Sequence, residues 1–133
     1  MIVGLGVDVI EVERVQNALD RYAEHFLKHV FAPEERRGAP SGSGRASYYA
    51  GRWAAKEAVS KALGTGIGEH CAWTDVRVLR GTNGKPGIRL VGAAARTAER
   101  SAIKTMHITI SHGKFLACAA AVAETGVDAM EQV

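Results

Sequence analysis

The sequence predicts an α+β domain, with one long helix set against a mainly antiparallel sheet. Three observations carry this expectation. A glycine-interrupted apolar run opens the chain at residues 1–10. An alanine-rich stretch without proline fills residues 45–63. Strand-like segments dominate the second half and end on a nearly all-apolar one at residues 115–123. The order strand, helices, strands, helix, strands belongs to the α+β class, because a parallel sheet requires regular alternation.

Residues 1–10 read as a buried strand ending in a turn, with Gly4 and Gly6 keeping its backbone slim. Residues 11–22 read as a helix. Val12, Val15, Leu19 and Tyr22 recur at steps of three and four and make one apolar stripe. Arg14, Ala18 and Arg21 lie on a different face. Pro33 opens a short helix, since its fixed φ suits a first helical position. Residues 39–44, Ala-Pro-Ser-Gly-Ser-Gly, form a surface loop.

Residues 45–63 give the strongest helix signal, with Gly64 just past the end as its stop. Ala55, Ala58, Val59 and Ala62 form a small-residue face that lets another element approach closely. Residues 72–80 and 87–91 read as strands joined by a turn around Asn83-Gly84. Residues 92–102 read as a short helix. Residues 106–111 alternate strictly, with Met106, Ile108 and Ile110 on one face and His107, Thr109 and Ser111 on the other. The run at 115–123 is apolar throughout, which predicts a strand covered on both faces.

Length and composition narrow the function classes. A chain of 133 residues fits one domain, taken as residues 1–133. Its 47% apolar and 23% charged residues are ordinary for a globular protein and argue against disorder. The net charge of +3 suits a phosphate-rich ligand or an acidic partner protein. No stretch interleaves aromatics with Arg or Lys as a nucleic-acid stacking platform would, so nucleic acid is not an expected partner. Cys71 and Cys118 are far apart and outside any metal spacing, and read as two reduced core thiols of a cytoplasmic protein. The opening run is broken by Asp8 and lacks the start of a signal peptide. No segment has the length of a membrane span.

Two carboxylates stand out from their surroundings. Asp8 follows the apolar strand, and Glu57 sits in the middle of the long helix. Magnesium wants oxygen ligands and keeps several waters, so one or two carboxylates plus substrate phosphates can hold it. Each residue also has a plainer reading: Asp8 as a helix cap, Glu57 as a solvated surface charge. Lys61 lies four residues after Glu57 and shares its side of the helix, either as a surface ion pair or as a cation set beside a phosphate. Trp53 and Ser60 share that side roughly. His112 ends the alternating strand, where a histidine fits either an exposed loop or a general base. No Walker loop, GxGxxG or nucleophile elbow appears.

Together these segments resemble the bacterial holo-acyl-carrier-protein synthase family of 4'-phosphopantetheinyl transferases, over most of the chain. Gly4-Leu5-Gly6-Val7-Asp8, continuing to Arg14, is similar to the family's first signature. Phe31-Ala32-Pro33-Glu34-Glu35 is similar to its Phe-Thr-x-x-Glu segment, with Ala32 in place of Thr. Arg52-Trp53-Ala54-Ala55-Lys56-Glu57-Ala58-Val59-Ser60-Lys61, running on to Gly66, matches the most specific signature. Asn83-Gly84-Lys85-Pro86 and Ile110-Ser111-His112 match later motifs.

The resemblance implies transfer of 4'-phosphopantetheine from coenzyme A to a serine of an acyl carrier protein, in support of fatty acid biosynthesis. It implies Mg2+ held by Asp8 and Glu57. Lys61 would contact the pyrophosphate, with Arg52, Lys56, Lys85 and His112 as further coenzyme A contacts. Arg52 and Lys56 would contact the pyrophosphate as well, or else touch the 3'-phosphate or hold the helix. The serine's proton acceptor stays open between a metal-bound water, Glu57, Glu35 and His112. The family's short members imply a homotrimer with active sites between subunits, its core packed by small residues around Ala58, Ala117, Ala119 and Ala121. Acidic carrier proteins would dock on Arg14 and Arg21. Three rivals remain beside this reading: a broad-specificity transferase for other carriers, a basic RNA-binding domain, and an inactive structural trimer.

Overall fold

Two glycines decide how the first strand meets the long helix. In the computed structural model, which describes residues 1–126, β1 (Ile2–Glu11) runs under the helix at Arg45–Leu63. A Cβ on Gly4 would stand 1.9 Å from the Ala62 carbonyl oxygen, and one on Gly6 1.8 Å from that of Ala58. Only bare backbone fits this approach. The small-residue face of the helix, with Ala55, Ala58 and Val59 fully buried, supplies the other half.

The chain continues through α1 (Val12–Tyr22), α2 (Glu24–Val30), α3 (Pro33–Arg36) and the long α4 (Arg45–Leu63). A 3-10 turn at Trp73–Asp75 leads into β2 (Val76–Arg80) and β3 (Pro86–Leu90). The helix α5 (Gly92–Arg100) precedes β4 (Ile103–His112) and β5 (Leu116–Thr125). Three strands form an antiparallel sheet in the order β1-β5-β4, and β2-β3 form a separate hairpin. One face of the larger sheet packs under α4, with Ala117, Ala119, Ala121 and Ala123 of β5 buried there. The helix ends at Gly64, in the left-handed conformation that stops it.

Several expectations change. The strand at 1–10 is not buried: Leu5, Val7 and Val9 point away from α4 and are 69%, 66% and 63% exposed. Likewise β5 is covered on one face only, since Leu116 and Cys118 open outward beside Val9. Cys118 is therefore an exposed thiol, while Cys71 is buried as expected. The alanines at 58, 117, 119 and 121 pack helix to sheet within one chain, so they are not an inter-subunit core. Tyr22 leaves the apolar stripe of α1 and is exposed, because the helix ends there and Ala23 turns the chain at φ 44° and ψ −118°. Of residues 72–80, only the part from Val76 pairs as a strand.

Candidate active site

Alternation along β1 puts Gly4, Gly6, Asp8 and Ile10 on the face toward α4. The glycines admit the helix, and Asp8 is the first residue of that row to carry a functional group. Its side chain is only 18% exposed. Glu57 comes to it from α4. Burial pushes the Glu57 carboxyl above the ordinary range, and the Asp8 charge pushes the same way, while Lys61 opposes them. The Lys61 ammonium donates to the Val7 carbonyl at 2.9 Å and lies 3.4 Å from Asp8 Oδ1. The structure thus brings together Asp8, Glu57 and Lys61. Ser60 departs from that group: it is buried, and its hydroxyl donates to the Glu57 carbonyl at 2.7 Å.

Two carboxylates sharing one half-exposed ammonium hold surplus negative charge, and this is the donor set a hard divalent cation takes. Among the described residues no cluster of three or more His, Cys, Asp or Glu could hold a metal. A cation here would complete its shell with water or substrate oxygens, as magnesium does. Beside this pair lies a pocket of about 160 Å³ lined by Ile10, Arg14, Val15, Ala18, Phe26 and Trp53.

A second cleft, about 130 Å³, lies on the other flank of α4, between Arg52, Arg80, Gly84, Pro86, Ile110 and His112. Gly51 makes room for it: a Cβ there would stand 3.3 Å from His112 Cδ2. Arg52 is 7% exposed, and its guanidinium carbon lies 3.7 Å over the Tyr48 ring. Lys85 sits in the turn between two lining residues, its backbone N–H donating to Asn83 Oδ1 at 3.0 Å.

The family model for the 4'-phosphopantetheinyl transferase superfamily matches residues 4–120. The chain belongs to this superfamily. It is 46% identical over 127 residues to a holo-[acyl-carrier-protein] synthase of Anaeromyxobacter dehalogenans, covering 93% of this chain and 97% of that one. Its fold is similar to the holo-[acyl-carrier-protein] synthase of Neisseria meningitidis, with a TM-score of 0.86 and 29% identity over 94% of this chain and all of the other. The Bacillus anthracis enzyme, solved in complex with CoA (3',5'-ADP), is similar with a TM-score of 0.80 and 37% identity, over 95% and 99% of the two chains.

In this phosphopantetheinyl transferase two sequence-derived candidates leave the site. Lys56 is fully buried and cannot meet coenzyme A. Its ammonium donates to Glu35 Oε1 at 2.8 Å, to the Trp73 carbonyl at 2.9 Å and to the Val76 carbonyl. Glu35, 2% exposed, also accepts from the backbone of Ala32 and Val78, so it cannot take a proton from substrate. His112 does not join Asp8 within one chain. Asp8 and Ile110 flank Ala119 on opposite edge strands of the sheet, about 10 Å apart from the strand spacing. Glu57 and Arg52, five residues apart, point roughly 140° apart around α4. Arg14 and Arg21 are exposed on α1. Sequence reasoning missed Arg80 and Tyr48. Arg80 carried a usable signal, since it ends the strand just before the Asn83–Pro86 motif. Tyr48 had none beyond standing one helical turn from Arg52.

Proposed function

We propose that the protein is a holo-[acyl-carrier-protein] synthase. It transfers 4'-phosphopantetheine from coenzyme A to a serine of apo acyl carrier protein and releases adenosine 3',5'-bisphosphate. The observation that carries the reading is the convergence of Asp8, Glu57 and Lys61 at the α4–β1 crossing, in a chain whose relatives are named for this activity.

In the reaction the serine oxygen bonds to the β-phosphorus and the bridging P–O bond to the nucleotide breaks. Asp8 and Glu57 would hold Mg2+, which would neutralise charge on the pyrophosphate. Lys61 stands at the carboxylate pair and neutralises a pyrophosphate oxygen. Of the side-chain acceptors open for the serine proton, Glu35 is sealed and His112 lies across α4. Glu57 remains, beside Asp8 and Lys61. Arg52, Lys85 and His112 hold the nucleotide end. Arg14 and Arg21 receive the acidic carrier, next to the apolar pocket at Phe26 and Trp53.

The enzyme is a homotrimer acting in the cytoplasm, with each active site shared by two copies. Two features support this. The outward face of β1 and β5 is apolar and exposed at Leu5, Val7, Val9 and Leu116, a patch of the kind that marks an interface. The carboxylate site and the Arg52 cleft flank α4 separately, so a neighbouring copy would supply the second half. Among the described residues no helix is long and apolar enough to cross a membrane.

The direct test incubates an apo acyl carrier protein with coenzyme A, Mg2+ and the enzyme, and weighs the carrier by mass spectrometry. One phosphopantetheine should be gained at the serine, and chelation of the metal should abolish the gain. No mass change in any carrier tried, with folded enzyme, would reject the reading.

A further inference from the structure

Arg52 is a buried cation without a carboxylate partner. Its Nε has no hydrogen-bond partner among the described residues, although the residue is 93% withdrawn from solvent. The nearby carboxylate of Glu35 is spent on Lys56, Ala32 and Val78. The other charge on the cleft is Arg80, of the same sign. A guanidinium in such surroundings is disfavoured, and burial lowers its proton affinity. Something must hold it in place.

Tyr48 meets it closely. The two residues are four apart on α4, and the guanidinium carbon lies over the ring, 3.7 Å from its centroid. The ring is itself fixed at both ends. Its hydroxyl donates to the Glu35 carbonyl at 2.6 Å, and its edge meets Tyr49 with ring centroids 5.2 Å apart at 86°. Glu35 in turn is clamped by Lys56. A rigid stack therefore runs from the Lys56–Glu35 pair through Tyr48 to Arg52.

We propose that Tyr48 is a positioning residue: its ring holds the Arg52 guanidinium at the cleft, so that its outer N–H groups face an anionic oxygen of coenzyme A. This rests on the reading that the cleft takes coenzyme A. A cation–π contact stabilises the charge electrostatically but consumes no N–H donor, so the outer guanidinium N–H groups stay available to the ligand while the buried Nε–H faces the protein. A carboxylate in the same place would have occupied the fork and competed with phosphate.

The test compares Tyr48→Phe, Tyr48→Leu and Arg52→Gln in steady-state kinetics, with thermal unfolding followed in parallel. Tyr48→Leu should raise the KM for coenzyme A about tenfold, with kcat and the KM for carrier protein within about twofold of wild type. Tyr48→Phe keeps the ring and should stay within about twofold of wild type throughout. Arg52→Gln should raise the same KM at least as much as Tyr48→Leu. If Arg52→Gln leaves it unchanged, the cleft does not take coenzyme A and the underlying reading fails. If Arg52→Gln raises it but folded Tyr48→Leu does not, the positioning role alone is overturned. A rise in Tyr48→Phe equal to that in Tyr48→Leu would move the effect to the hydroxyl and also overturn the role of the ring. Should Tyr48→Leu not fold, the wild-type protein decides by NMR. The Arg52 Nε–H resonance should be shifted upfield by the ring and should move on saturation with adenosine 3',5'-bisphosphate. A resonance without the ring shift, or one unmoved by the nucleotide, refutes the proposal.

Discussion

At the scale of the residue, Glu57 is the informative group. Its carboxyl is raised by burial first and by Asp8 second. An acid whose folded pKa lies above its unfolded value binds its proton more tightly when folded. Its contribution to stability is therefore lost as pH rises through the unfolded pKa toward the folded one, and the ionised form is a burden at neutral pH. Glu57→Gln should keep or raise the melting temperature at pH 7 without metal, while lowering turnover on the order of a hundredfold. Mg2+ should raise the melting temperature of wild type but not of the variant, since a ligand stabilises only the form that binds it. Mg2+ binding should weaken as pH drops through the raised pKa of the metal-free carboxyl, because a protonated carboxyl does not ligate the cation, and titration calorimetry across pH checks it. Near-normal, still magnesium-dependent turnover in Glu57→Gln would remove it as a ligand. Asp8 and Glu57 were legible because each is a charge in an apolar setting. For Lys56 the sequence left open a coenzyme A contact or a role in holding the helix, and the second is what the structure shows, because Glu35, 21 residues away, receives its ammonium.

At the scale of the element, α4 is pinned by one buried ion pair. Lys56 and Glu35 have fully satisfied polar atoms, and they join α3, α4 and β2 at one point. Removing one partner strands the other without water. Lys56→Met should cost about 3–5 kcal/mol in urea unfolding, whereas Lys56→Met with Glu35→Leu should recover much of that loss. A single variant as stable as wild type would show the pair to be dispensable. On α1, Arg14 and Arg21 share an exposed face while Val12, Val15 and Leu19 are buried, as the periodicity predicts. Charge reversal at both should raise the KM for carrier protein but not for coenzyme A, and added salt should mimic the change in wild type. Unchanged carrier kinetics at low salt would place docking elsewhere. The end of α1 also carries strain: Ala23 adopts φ 44°, ψ −118°, a region that suits glycine. Ala23→Gly should stabilise the fold by about 1 kcal/mol, measured by thermal or urea unfolding.

At the scale of the whole molecule, the two half-sites predict complementation. Glu57→Gln and His112→Ala each disable one half. If neighbouring copies complete each other's sites, an equal mixture, dissociated and reassembled, restores function at roughly a quarter of the sites. Sedimentation should report a trimer, and Val7→Asp on the outward face of β1 should break it and abolish activity together. A fully active monomer would refute both the assembly and the shared site.

The sequence alone determined the long helix and its stop at Gly64, the slim first strand, the strand-turn-strand hairpin and the carboxylate pair. Those features follow from local periodicity, glycine placement and motif matches. Tertiary structure decided which charges reach solvent and which apolar strands do not lose it. Lys56 and Glu35 are sealed because distant segments converge on them, and Leu5 and Val7 stay exposed because α4 covers only one side of the sheet. An apolar run predicts a hidden surface but does not say whether its own chain hides it. Here β1 and β5 satisfy one face internally and leave the other open.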